Sequence, residues 1–418
     1  MPKIIKLPQY KWTCHEREVE YYLPSGWDVT TYNFAGANRP VMSTAQIKTA
    51  LDSPIDSPRL RELARGKKRI VIIFETMIQP AKLSTAVSAL LEELKEGDIN
   101  DDQIEFICAN GGEQHWTLAD FKDKLGTDIP SRFRVFNHFP FMNCTPLGTT
   151  SSGSRAEVNT EVVSCDLKIT LVGNLPHGRY GFTGGGNLVM PGISSYDAMQ
   201  QYDKYGISQA GFISERGFAE GNPNTLDSIE MAKMVGIDFT INIIQNNWGD
   251  PVAMYAGGLE PAYWAAVRDA KSHFHVDCPK DNDIVIGNTF AQPDLAVFHR
   301  GDDTMRYIKP TGGSAIVITN KVSGQVILYT AGAFGKSIGG PHFTKHPIPT
   351  NVNHLIIHSE FPEARTPDNF AEKDQVKLSC ISNWTDVVLS LLNWHGSNAK
   401  VAVLINAPLS FNNHSSLR

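Results

Sequence analysis

The first clear pattern in the chain is Ile70-Val71-Ile72-Ile73-Phe74, apolar at every position behind the basic run Lys67-Lys68-Arg69. An unbroken β-branched run is what a parallel strand buried on both faces looks like. Apolar positions at helical spacing follow from Ala86 to Leu94, Gly97 to Asp102 is turn-like, and Ile104 to Ala109 reads as a second strand, so this segment predicts a β-α-β unit. Similar pairs recur, with strands at Leu167–Val172 and Asp238–Ile244 and helices at Thr225–Val235, closed by Gly236, and Glu260–Ser272. Such alternation predicts an α/β protein, whose ligands gather at the carboxyl ends of the strands. The stretch before Lys67 reads as irregular.

The pattern pauses in the polar turn Cys278-Pro-Lys-Asp-Asn-Asp283 and restarts at Ile284-Val285-Ile286. Strands at Ser314–Thr319, Val326–Tyr329 and Val401–Ile405 and a helix at Trp384–Trp394 are enough for a second α/β core. The expected domains are therefore 1–277, carrying most of the candidate site residues, and 278–418.

Charge narrows the functional classes. With 38 basic against 44 acidic residues and a formal net charge of −6, the chain lacks the basic excess of a nucleic-acid-binding surface. No apolar run reaches the ~18–20 residues of a membrane span, and the start MPKIIKLPQYKW lacks an apolar signal core, so a cytoplasmic protein is expected. The six cysteines include no Cys-x-x-Cys pair, which leaves neither a zinc knuckle nor a disulfide framework in view. A small anionic substrate is the expected partner, and the oligomeric state is left open.

Three turns carry candidate chemistry. Cys108-Ala-Asn-Gly-Gly-Glu113-Gln114-His115 leaves a strand end through glycines that let Glu113 and His115 sit on a tight turn. Gly173-Asn-Leu-Pro-His177-Gly-Arg179-Tyr-Gly-Phe-Thr183-Gly184-Gly185-Gly186-Asn187 leaves another, and its glycines let a ligand approach backbone N–H groups closely. Its spacing matches neither the Walker nor the dinucleotide fingerprint. Gly339-Gly-Pro-His342-Phe-Thr-Lys-His346 holds two histidines in a stretch that proline and glycine keep from being helical. Two further pairs, His273 with His275 and His354 with His358, read as partly buried histidines of extended or apolar segments.

The segment from Leu147-Gly-Thr-Thr-Ser-Ser-Gly through Asn159, Asp166-Leu-Lys-Ile, Gly173-Asn-Leu-Pro-His177, Gly181-Phe-Thr-Gly-Gly and Met190-Pro-Gly-Ile-Ser resembles the lactate racemase family, whose enzymes use a nickel-pincer nucleotide. Landmarks in the same order extend the likeness over roughly residues 55–290, among them Ala109-Asn-Gly, Asn137-His138, Gly221-Asn-Pro and Met234-Val-Gly-Ile-Asp-Phe. The resemblance implies a larger N-terminal and a smaller C-terminal α/β domain with the active site between them, and a racemase or epimerase acting on a small 2-hydroxy acid or sugar acid.

Residue by residue, the resemblance divides. The family's first catalytic histidine matches His177, and its second, in an Ala-Thr-Gly-x-His-Arg turn, matches Glu113, with Gln114 in place of arginine. Imidazole opposite carboxylate can serve as an acid–base pair on two faces of a carbon if burial raises the carboxyl toward the imidazole range. Arg179 offers a replacement fork for a substrate carboxylate. The family's Asp-x-x-Arg-Pro becomes Thr76-Met-Ile-Gln79-Pro80, and a Tyr-Gln pair of the second domain matches Phe298-His299. The lysine that anchors the cofactor is replaced by Asn187 behind Gly184, Gly185 and Gly186, and the nickel-ligating histidine falls by ungapped counting at Asp203, a harder ligand. The implied nickel-pincer nucleotide thus competes with another divalent metal or no cofactor. A descendant that only binds a small anion or a partner is the alternative to an enzyme.

Overall fold

The computed structural model describes residues 1–9, 17–208, 216–289, 304–319, 348–361, 370, 374 and 376–412, with the side chains of 203–208 outside that description. Two compact units result. One is Asn38–Ser272; the other joins Met1–Ala37 to the described residues from His273 onward.

In the first unit the expected apolar runs become strands at Ile70–Phe74, Ile104–Cys108, Leu167–Gly173 and Phe239–Gln245, each buried almost throughout. With Arg134–Asn137 and Pro251–Gly257 they form one six-stranded sheet. Its spatial order starts at Pro251–Gly257 and passes through Phe239–Gln245, Leu167–Gly173, Ile70–Phe74 and Ile104–Cys108 to Arg134–Asn137. All neighbours are parallel except the Pro251–Gly257 edge. From Ile70–Phe74 the chain steps outward to Arg134–Asn137, crosses back to Leu167–Gly173 and steps outward on the other side. The strand order therefore reverses between Ile70–Phe74 and Leu167–Gly173, which opens a crevice at their carboxyl ends.

Helices cover this sheet for reasons visible locally. Ser84–Glu96 places Ala86, Val87, Leu90 and Leu94 on its buried face. Thr117 caps Leu118–Leu125 through a reciprocal bond with Asp120. Pro223–Val235 starts behind the Asn222 cap and stops at Gly236, whose φ of 78° suits glycine. Phe74, Phe106, Phe121 and Phe133 meet edge-on within the core on one face of the sheet.

The second unit holds an all-parallel six-stranded sheet, ordered Leu378–Ile381, Val352–His358, Gly313–Ile318, Ile284–Asn288, Lys400–Leu404 and Asp28–Tyr32. The N-terminal stretch that reads as irregular is instead a hairpin, Lys3–Gln9 with Arg17–Leu23, followed by the edge strand Asp28–Tyr32. Met1–Ala37 thus belongs with the C-terminal unit, and the polar turn at Cys278 lies just beyond the division at Ser272 and His273. The reason is a pairing between opposite ends of the chain, which no local pattern announces.

The histidine pairs resolve as packing. His273 closes the helix Leu259–His273 rather than lying in an extended segment, and its ring packs on Phe34 and Phe274. His275 instead bridges to Phe411. His354 and His358 share the strand Val352–His358, where His354 stacks on Trp394 and His358 meets Trp384 edge-on. The expected strand at 326–329 and the loop carrying His342 and His346 lie outside the described residues. Among the described residues, no helix is long and apolar enough to cross a membrane.

Candidate active site

The register places the strand ends of the first unit on one edge, with Phe74 opposite both Cys108 and Leu171, Cys108 opposite Asn137, and Gly173 opposite Ile243. The loops that follow start from cross-strand bonds, Ala109 N to Phe74 O at 2.8 Å, His138 N to Cys108 O at 3.1 Å and Asn174 N to Ile243 O at 2.7 Å. Both candidate loops therefore leave the same edge, on either side of the Ile70–Phe74 strand.

The first loop turns at once. Glu113 N donates to Asn110 O at 2.7 Å, and Asn110 Nδ2 donates back to Glu113 O at 3.2 Å. Gly111, at φ 47°, donates its N–H to Gly192 O at 2.8 Å. That bond holds the Glu113 turn against the segment that follows the His177 loop, which Gly192 N ties back to Asn187 O. Glu113 and Gln114 are half-buried, whereas His115 is exposed beside Phe139.

In the second loop His177 is half-buried, and its Nδ1 accepts the N–H groups of Arg179 at 3.1 Å and Tyr180 at 3.3 Å. A ring nitrogen that accepts carries no proton, so the neutral ring has its hydrogen on Nε2. The Arg179 guanidinium lies 5.8 Å from the Tyr202 ring centroid, a cation–π distance. Buried Thr183 ties the loop to its strand by donating from Oγ1 to Gly173 O at 2.5 Å and accepting from Leu175 N at 2.8 Å.

The three glycines then pass through a space too narrow for side chains. A Cβ on Gly184 would come within 2.6 Å of Asn242 Oδ1, and one on Gly186 within 1.9 Å of the Ser228 carbonyl oxygen. Gly186→Ala is accordingly expected to cost about 1–3 kcal/mol, read as a lower urea midpoint at unchanged slope. Asn187 closes the turn, its Oδ1 accepting from Gly184 N at 2.7 Å. The glycines thus serve packing and turn geometry at this site.

Sequence reasoning missed the most buried charges at this edge. Glu75, directly after the central strand, and Lys124 are each 1% exposed, with Nζ 2.7 Å from Glu75 Oε1 and 2.7 Å from Gln79 O. Glu75 Oε2 accepts from Gly173 N at 2.6 Å. Burial raises Glu75 and lowers Lys124 against their mutual attraction. A signal was present: Lys124 falls on the same helix face as buried Phe121 and Leu125. Thr76 is buried and Gln79 half-buried in the turn between Glu75 and Pro80.

Two sequence candidates stay outside this geometry. Asp203 lies in the helix Tyr196–Ser208 with its side chain not described, and His299 is outside the described residues. Among the described residues no group of three or more His, Cys, Asp or Glu side chains is placed to hold a metal ion.

Comparison with known proteins gives the fold and site a lineage. Residues 15–211 match the lactate racemase N-terminal domain. The chain is 29% identical over 267 residues to a lactate racemase of Thermoanaerobacterium thermosaccharolyticum, covering 62% of this chain and 61% of that one. It is 28% identical over 297 residues to a lactate racemase of Lactiplantibacillus plantarum, covering 69% and 65%. The matches thus span less than two thirds of these relatives' length. The lactate racemase apoprotein of T. thermosaccharolyticum superposes with a TM-score of 0.73 at 20% identity, over 98% of this chain and 100% of that one. A Thermotoga maritima protein superposes with a TM-score of 0.62 at 16% identity, over 89% and 98%. Residues 15–211 thus carry the lactate racemase N-terminal domain, and the chain is similar to lactate racemases in sequence and shares their fold.

Proposed function

We propose that the chain is an isomerase that inverts the hydroxyl-bearing carbon of a small 2-hydroxy acid or sugar acid, with Glu113 and His177 as its acid–base pair. The observation that supports this best is the Gly111–Gly192 bond, which ties the Glu113 turn to the segment that follows the His177 loop at the carboxyl edge of the sheet. Thr76, Gln79, Gln114 and Arg179 are the proposed substrate contacts. Arg179 is the natural partner for the substrate carboxylate because its fork matches two oxygens.

In one direction Glu113 takes the proton from the substrate carbon, and the C–H electron pair passes into the substrate carboxylate, where Arg179 offsets the added charge. The imidazolium of His177 then delivers a proton to the opposite face. Charging the ring requires Nδ1 to donate and so to leave the Arg179 and Tyr180 amides. Gly178 is exposed, with space around it, and gives the turn room for that change. Solvent then restores both groups.

The nickel-pincer nucleotide of the family does not fit this loop as a covalent adduct. Asn187 has no amine, and its carboxamide oxygen is engaged by Gly184. Intact mass of the protein purified from its own host is expected to equal the bare chain after denaturation. An adduct that survives denaturation, or nickel that stays bound through it, overturns this part of the reading.

The activity test is incubation of single enantiomers of lactate and a panel of larger hydroxy acids in heavy water. The expected result is inversion with deuterium at the inverted carbon. Inversion with the original hydrogen retained removes the proton-transfer pair, and absence of both inversion and exchange across the panel removes the isomerase.

A further inference from the structure

Among the described residues of the first unit, Glu75 and Lys124 are the most buried charges, and the proposed chemistry leaves them without a task. The pair lies at the point where the strand order reverses, where an α/β sheet places its ligand. Its contacts are unusual in what they join. Glu75 Oε1 receives Lys124 Nζ, and the same Nζ donates to Gln79 O, closing the turn that carries Thr76 and Gln79. Glu75 Oε2 receives the N–H of Gly173, the last residue of the strand that leads to His177. A Cβ on Gly173 would lie 3.2 Å from that oxygen and 2.9 Å from Ala81 Cβ, so the close approach depends on glycine.

We infer that Glu75 and Lys124 are positioning residues that lock the Thr76–Gln79 turn and the His177 loop into one arrangement. One carboxylate serves both loops, an oxygen to each. A glutamine at position 75 cannot do the same, because its single oxygen can answer either Lys124 or Gly173, and its amide group repels the other donor. A pair kept only for stability behaves otherwise, since replacing both buried charges by neutral groups of similar size is commonly tolerated. The two roles therefore separate in a double variant. Where turnover is concerned, this inference rests on the isomerase reading; where loop order is concerned, it does not.

The test uses the full chain as Glu75→Gln, Lys124→Met and the double variant Glu75→Leu with Lys124→Met, which leaves no polar atom to answer either loop, with thermal unfolding, hydrogen-exchange mass spectrometry and lactate turnover as readouts. Each single variant is expected to unfold at lower temperature and to speed exchange about tenfold in peptides covering both 75–80 and 173–187. The double variant is expected to regain its melting temperature while both loops stay fast. Its turnover number should stay about 10²-fold low, with a smaller change in KM, because loosened loops misplace the reacting groups. Wild-type protection of both loops in the double variant overturns the inference, as does a single variant that loosens only one loop. If the wild type turns over no hydroxy acid while the loops loosen together, the isomerase reading fails and the positioning role stands.

Discussion

Replacing His177 with alanine, or Glu113 with glutamine, is expected to lower the rate of inversion by about 10²–10⁴-fold, the usual contribution of a positioned acid or base. Chiral chromatography of a single lactate enantiomer, with deuterium incorporation followed in parallel, measures both losses. The two substitutions should differ in what survives. Glu113→Gln removes the group that takes the proton while keeping its size, so exchange at the carbon and inversion should fall together in the direction that Glu113 initiates. His177→Ala removes delivery to the other face, so exchange without inversion can persist, because Glu113 can return a solvent-derived proton to the face it came from. The double variant should lose little more than the worse single variant, since the pair works as a unit. If Glu113→Gln inverts at the wild-type rate, the acid–base assignment is wrong even if the protein is an isomerase.

The second large effect concerns stability in acid and centres on His138. The ring is fully buried, with Nε2 2.8 Å from Ser194 O and Nδ1 3.2 Å from Asn159 Nδ2. The carbonyl takes an N–H from Nε2 and the carboxamide donates to Nδ1, so the neutral ring is satisfied at both nitrogens. A charged ring would set one donor against another. Burial lowers its pKa from 6.5 to about 4. The unfolded chain therefore binds a proton below pH 6.5 that the folded chain refuses until about pH 4. Stability is full above this window and falls through it, by about 3 kcal/mol from this residue. His354, His358 and His395 are lowered as well, chiefly by burial, and act in the same direction. Urea unfolding at pH 7 and pH 4.5 should show a loss that is markedly smaller in His138→Gln, which keeps a donor for Ser194. Equal losses in both proteins would remove His138 as the cause.

Much of this molecule follows from short stretches of sequence. Ile70–Phe74 is a continuous apolar run, and a strand buried on both faces needs nothing more to be recognised, while Leu167–Gly173 and Phe239–Gln245 are rich enough in apolar and β-branched residues to read as strands. Gly236 ends its helix because a positive φ costs glycine little. The two loops with Glu113 and His177 were legible for the same reason, since glycine-rich segments after strand ends are where α/β folds collect polar groups. What the local pattern could not supply was anything that depends on two distant segments meeting. The edge strand Asp28–Tyr32 exists because Lys400–Leu404 offers it hydrogen bonds, and its own sequence is mostly polar. The burial of Glu75 and Lys124 is of the same kind: each residue alone belongs on a surface, and only their meeting with Gly173 and Gln79 satisfies the charges out of water. Asn187 shows the same division within a single residue. That no lysine stands there is plain from the residue's identity, whereas the turn of its carboxamide back onto Gly184 came with the fold, because the direction of a side chain is set by the donor that folding brings to it.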